Sequence, residues 1–235
     1  MTWTTGAEGE GDAGLPQRLA LFDLDHTLID FDSGLAWTHF LQARGVLPRS
    51  AEETYLGYAR QYVAGTLDIH AMHHAGIAPL ARHPLDVLQK WARDFEAAMA
   101  PRIGQAMRAL VKRHLDAGDL CAIVTATTRL VSEPFARLFG VPHLVATEAE
   151  VLNNRLTGAI EGEPCFRELK VLRVRQWLAE GMREPRELTD FEETWFYSDS
   201  VSDLPLLQAV SHPVAVRPDE RLRVHALALG WQLID

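Results

Sequence analysis

Residues 19 to 28 read Leu-Ala-Leu-Phe-Asp-Leu-Asp-His-Thr-Leu. Four apolar residues, Leu19 to Phe22, predict a short strand buried on both faces, and Asp23 and Asp25 follow at once. Side chains alternate along an extended chain, so both acids are expected on one side at the strand's carboxyl end, where open α/β sheets bind ligands. Two anions so close repel each other. They are tolerated if a divalent cation lies between them, or if one keeps a proton while the other is ionised; both arrangements suit phosphoryl chemistry. The same stretch also fits an acidic strand-to-helix turn in which Asp25 or Thr27 caps the next helix.

Three later stretches bear on that choice. Leu120 to Val124 is a second buried strand delivering Thr125-Ala126-Thr127-Thr128, whose hydroxyls and backbone N–H groups would suit a phosphate oxygen at a helix start, or would merely cap that helix. Lys170 opens an amphipathic helix through Val171, Val174, Trp177 and Leu178. Thr194 to Ser198 is another strand, ending in Asp199-Ser-Val-Ser-Asp203.

The elements that must position these groups follow from periodicity. Asp32 and Ser33 cap a helix that buries Leu35, Ala36, Trp37, Phe40 and Leu41 and stops at Gly45. Ser50 with Glu53 forms a capping box ahead of Tyr55, Tyr58 and Tyr62. Further helical stretches cover 67–80 and 84–99. Pro101 opens a helix that ends at Gly118, and another carries Val131, Phe135, Leu138 and Phe139. Leu144 to Ala146 is a third strand, and 151–157 a hairpin turning at Asn153-Asn154. Pro213 to Val216 is a last strand and 218–231 a last helix. Residues 31–100 are thus all helical between two strands, as in an insertion into an α/β domain.

The chain has 235 residues, 47% of them hydrophobic, enough for one domain with an inserted module. A net charge of −9 without a basic cluster excludes a nucleic-acid surface. Cys121 and Cys165 are far apart in sequence and fit small buried groups in a reducing, cytoplasmic setting. Residues 1–17 read as a flexible tail without a signal peptide, and no apolar run approaches the roughly 18 residues of a membrane span.

Taken in order, Asp23-Leu-Asp-His-Thr, Thr125 after a strand, Lys170 and Asp199-x-x-x-Asp203 resemble the four motifs of the haloacid dehalogenase superfamily. The likeness is to its phosphoserine-phosphatase-like branch with a type-one helical cap. The resemblance implies a Rossmann-like parallel core over 18–30 and 101–235, a helical cap over 31–100, and a phosphoryl group carried on Asp23. Asp25 would be the acid and base, Thr125, Ala126 and Lys170 would bind phosphoryl oxygens, and magnesium would be held by Asp23, Asp25 (through its carbonyl), Asp199 and Asp203. His26, Leu169 and Ser202 depart from residues frequent in the family.

The expected activity is a magnesium-dependent phosphomonoesterase for a small metabolite resembling phosphoserine or histidinol phosphate. A phosphotransferase to an alcohol, a phospholipid head-group phosphatase and a non-catalytic phosphate-binding module are the alternatives. Asp32 falls where that branch carries a glutamate that meets a substrate amine, though the residue also suits a helix cap. His26 and Arg60 are further candidates for contact with the substrate. His70, His73 and His74 have helical spacing suited to a metal, but without an accompanying carboxylate pattern they read as ordinary polar or cap-lining positions. The pattern leaves the oligomeric state open.

Overall fold

The computed structural model describes residues 17–235, so the expected tail, apart from Gln17, falls outside the described residues. Seven strands form one sheet in the order β4-β3-β2-β1-β5-β6-β7. They are β1 (Arg18–Phe22), β2 (Leu120–Thr128), β3 (His143–Leu152), β4 (Arg155–Glu161), β5 (Glu193–Ser198), β6 (His212–Val216) and β7 (Gln232–Ile234). Every neighbouring pair is parallel except β3 and β4. The expected α/β fold with a parallel Rossmann-like sheet is present. Strand β1 lies centrally between β2 and β5, where the strand order reverses, and the carboxyl ends there frame the crevice that such sheets use for ligands.

Alternation along β1 builds two cores. Ala20 and Phe22 join Cys121, Ile123 and Val214 on one face, and Leu19 and Leu21 join Ala122, Val124 and Phe196 on the other. Helices α5 (Gln105–Asp116) and α6 (Arg129–Phe139) cover the first face; α7 (Leu169–Glu180), α8 (Leu204–Leu207) and α9 (Glu220–Leu229) cover the second. Asp23 continues the parity of Leu19 and Leu21, which sends its carboxylate toward α7.

Between β1 and β2 lie α1 (Ser33–Ala43), α2 (Ser50–Ala64), α3 (Ile69–Ile77) and α4 (Leu85–Met99), with no strand among them. Helices α1 and α4 share the first core: Trp37 meets Phe95 edge-on at 5.1 Å, and Phe95 meets Phe135 of α6 at 5.7 Å. Helix α3 adds Ile77 to this core and packs on β4, where a Cβ at Gly158, at φ +98°, would meet Ala78 and His74.

Several boundaries differ from expectation. Pro101 sits in a single tight turn, Ala100–Arg102, and α5 starts only at Gln105, so Ile103 is a connector rather than a helical residue. Ser50 is the first helical residue of α2 and its side chain caps nothing; the preceding turn, where the Ala51 N–H meets the Pro48 carbonyl, does that work. The hairpin turns at Asn153 and Asn154, both at positive φ, as expected, but its strands run on to His143 and Glu161. The last helix ends at Leu229, and 232–234 add β7, too short to show alternation.

Candidate active site

The buried carboxylates are arranged in two groups. In the first, Lys170 of α7, only 3% exposed, donates to Asp23 Oδ1 and to Asp203 Oδ2, each at 2.7 Å. Asp203 Oδ2 also accepts from Ser198 Oγ at 2.8 Å. Asp199 is held by Thr27 Oγ1 at 3.0 Å, and its carbonyl accepts the Asp219 N–H at 2.7 Å.

The second group surrounds Asp25, which lies beyond the strand rather than on it. After Asp23 the chain winds through Leu24 to Leu28, with His26 at φ +59°. That left-handed backbone favours glycine, so His26 holds a conformation that residues with a side chain rarely adopt. Arg217 Nη2 holds the turn by donating to the carbonyls of His26 (3.0 Å) and Thr27 (2.6 Å). Asp25 is therefore aimed by the turn, not by strand alternation. Its oxygens accept from the Ser33 N–H at 2.6 Å and Thr127 Oγ1 at 2.8 Å.

Both groups open on one cavity of about 1030 Å³, also lined by His26, Asp32, Thr125, Ala126 and Arg167. Helix α2 brings Tyr55, Tyr58 and Tyr62 to it; Arg60 lies on another face of α2, exposed and outside the lining. Asp32 Oδ1 caps α1 at the Leu35 N–H (2.7 Å) and accepts from Tyr55 OH at 2.5 Å. A Cβ at residue 34 would stand 2.5 Å from that hydroxyl, so Gly34 is what lets Tyr55 reach Asp32. Asp32 is thus a helix cap as well as a cavity group, and its other oxygen has no partner among the described residues. Across the mouth, Tyr62 OH bonds Ser200 Oγ (2.7 Å) and Ser202 Oγ (2.8 Å), and Arg167 Nη2 donates to the Gly65 carbonyl (3.1 Å).

The family model for haloacid dehalogenase-like hydrolases matches residues 20–208, a span that contains each of these strand-end acids and Lys170. The chain belongs to that family. It is 38% identical to a histidinol-phosphatase of Neisseria meningitidis over 93% of this chain and 99% of that one. It is 30% identical to a phosphoserine phosphatase of Mycobacterium tuberculosis over 92% of this chain and 70% of that one. A Bordetella pertussis protein of unknown function superposes with a TM-score of 0.86 at 46% identity, over 94% of this chain and 99% of that one. This haloacid dehalogenase-like chain is a phosphatase of the phosphoserine-phosphatase-like branch.

Electrostatics in this hydrolase are dominated by burial. It lifts Asp23 from 3.8 to about 6 against the pull of Lys170. It lifts Asp25 to about 7, helped by Asp32, and Asp199 to about 8, helped by Asp23. For Lys170 burial acts downward, but Asp203 and Asp23 outweigh it and hold the ammonium well above its ordinary range. The folded protein thus keeps protons that the unfolded chain releases, and stability falls as pH rises through these values. In chelator, the thermal midpoint is expected to drop from about pH 4, above which the unfolded carboxylates are ionised, to about pH 8 and to level off once Asp25 and Asp199 are ionised in the folded state; a midpoint that rises across this window contradicts the assignment.

Proposed function

We propose that the chain is a magnesium-dependent phosphomonoesterase for small amino-alcohol phosphates, working through a phosphoryl group carried on Asp23. The observation that carries this reading is the separate fixing of two acids on one cavity wall. Asp23 is oriented by Lys170, whereas Asp25, poised near neutrality, is held by Ser33 and Thr127.

In this mechanism Asp23 attacks phosphorus and the bond to the ester oxygen breaks. Asp25, protonated at that moment, gives its proton to the leaving alkoxide and then takes one from the water that hydrolyses the acyl phosphate. Thr125, Ala126 and Lys170 bind phosphoryl oxygens, Lys170 also offsetting the repulsion between Asp23 and a dianionic ester. Thr127 keeps Asp25 aimed through both steps.

The donor set fits magnesium. After burial, Asp23 is the largest influence raising the proton affinity of Asp199, so the two carboxylates lie close enough for their charges to repel. Among the described residues no three His, Cys, Asp or Glu side chains cluster as a metal cage. Magnesium usually takes only one or two carboxylates, with waters and substrate oxygens completing its shell. Asp23, Asp199 and the Asp25 carbonyl would hold it, while Asp203 supports the site through Lys170; bound there, it withdraws charge from the phosphoryl group.

Residues 31–100 act as the cap in this reading, and the uncommitted oxygen of Asp32 meets the substrate's ammonium. The relatives named histidinol-phosphatase and phosphoserine phosphatase support that substrate class. Two buried cysteines, Cys121 and Cys165, both free, support a reducing compartment such as the cytoplasm. No helix among the described residues is long and apolar enough to cross a membrane. The test is phosphate release from a panel of amino-alcohol phosphates in magnesium and in chelator. Turnover of at least one ester that disappears with chelator and returns with magnesium is expected; chelator-resistant turnover, or inertness to the whole panel, contradicts the reading.

A further inference from the structure

The turn that carries Asp25 out of β1 has a shape that its own sequence does not favour. Asp25 is extended (φ −70°, ψ 131°), and His26 beside it is left-handed (φ 59°, ψ −4°). Such a backbone persists in a residue with a side chain because its surroundings hold it. Inside the turn the Ile29 N–H closes on the Leu24 carbonyl at 3.1 Å, while the His26 N–H reaches the Phe31 carbonyl only at 3.5 Å.

The remaining hold comes from the segment after β6. Arg217 is anchored on β7, its N–H donating to the Ile234 carbonyl at 2.6 Å. From there its Nη2 reaches the His26 carbonyl at 3.0 Å and the Thr27 carbonyl at 2.6 Å. Arg217 is exposed, does not line the catalytic cavity, and forms no ion pair among the described residues. Its guanidinium is committed to the turn.

Two residues on, the same segment grips the Asp199 loop. The Asp219 N–H donates to the Asp199 carbonyl at 2.7 Å, and Asp219 Oδ2 accepts the Val201 N–H at 2.8 Å. Thr27 Oγ1, on Asp199 Oδ1 at 3.0 Å, joins the turn to that loop. Arg217, Thr27, Asp199 and Asp219 thus close a ring of hydrogen bonds and backbone, which fixes the turn where a single bond would let it swing. Asp23 lies outside this ring and is oriented by Lys170 instead.

We infer that Arg217 is a positioning residue for the proton-transfer step, holding the His26 turn so that Asp25 faces the departing ester oxygen. This rests on the phosphomonoesterase reading and adds to it a residue that touches neither substrate nor cavity. Removing the Arg217 side chain leaves Asp219 on the Asp199 loop and frees only the turn. A misplacement of about 1 Å at such a group can slow catalysis about a hundredfold. The loss is selective, because an alkyl ester needs a proton on its departing oxygen, whereas p-nitrophenolate departs as a stable anion without one.

The test measures kcat/KM, which covers the steps up to departure of the alcohol, in saturating magnesium. Histidinol phosphate and phosphoserine are the alkyl esters and p-nitrophenyl phosphate is the aryl ester. Arg217→Ala, which keeps the backbone bond to Ile234, is expected to lower kcat/KM about tenfold or more for the alkyl ester that the wild type turns over, and about threefold or less for the aryl ester. Arg217→Lys keeps the charge without the guanidinium fork; a smaller loss with the same selectivity is expected, and this variant covers the case in which Arg217→Ala does not fold. Equal losses for both ester types, or an unchanged kcat/KM for the alkyl ester in folded variants, overturn the inference alone. A wild type inert to every amino-alcohol phosphate overturns the phosphomonoesterase reading and this inference with it.

Discussion

Asp23→Asn is expected to lower phosphate release by about a thousandfold or more, because the amide keeps the shape of the carboxylate but not its nucleophilicity. The same change should not weaken the fold. Burial pushes the Asp23 pKa up to about 6, so above that pH its ionised form is held at a cost that burial imposes and Lys170 only partly offsets. In chelator at about pH 8 the variant should melt no lower than the wild type. An inactive protein of undiminished stability separates a chemical role from a structural one. A variant with near wild-type turnover removes Asp23 from the mechanism, and one that is inactive because it is unfolded shows the carboxylate to be structural.

Lys170→Met is expected to do the reverse, damaging the fold as much as the chemistry. Its ammonium bridges Asp23 and Asp203 at 2.7 Å on each side, and both partners are buried. Removing one member of a buried ionic group leaves uncompensated charge, with a typical loss of about 3–5 kcal/mol. Protonation of the stranded carboxylates relieves that loss, so it should be larger at about pH 8 than at about pH 5. Urea unfolding in chelator at both pH values checks this. Equal stability of variant and wild type at the higher pH would contradict the role assigned to the triad. Activity should also fall sharply, since the phosphoryl oxygens lose their cation.

Much of this site was legible because strand ends carry their chemistry in adjacent residues. Asp23, Asp199 and Asp203 follow apolar runs whose burial is unmistakable, and Lys170 opens a periodic helix. The two-core sheet followed from the same runs. Less visible were the groups that aim these acids, because their partners are far apart in sequence. Thr127 meets Asp25 across 102 positions and Arg217 meets Thr27 across 190. Thr127 read equally well as a helix cap, and no local pattern marks Arg217. The apparent alternation of Asp23 and Asp25 was a coincidence of spacing, since the chain leaves extended geometry at Leu24, between them.

The helices α1 to α4 showed the opposite balance. They were plain in the periodicity, yet the face that each presents was not. Tyr55, Tyr58 and Tyr62 were recognisable as one stripe of α2, but their apolar bulk suited a core as well as a cavity wall. Arg60 had the right charge and the wrong face, while Arg167 lines the cavity from the segment before α7. His73 and His74 are consecutive in sequence, and only the packing of α3 against β4 decides which is buried.

The most direct test of the central claim is to acid-quench the enzyme during turnover, reduce it with borohydride, and locate the modified carboxylate by peptide mass spectrometry. The wild type is the protein to use, because Asp25→Asn would lack the acid that expels the leaving group as well as the base that hydrolyses the acyl phosphate. The expected result is reduction confined to Asp23, absent without substrate and absent in Asp23→Asn. Turnover with no modification at Asp23, or with a phosphoryl group on another side chain, would contradict the mechanism proposed for this fold.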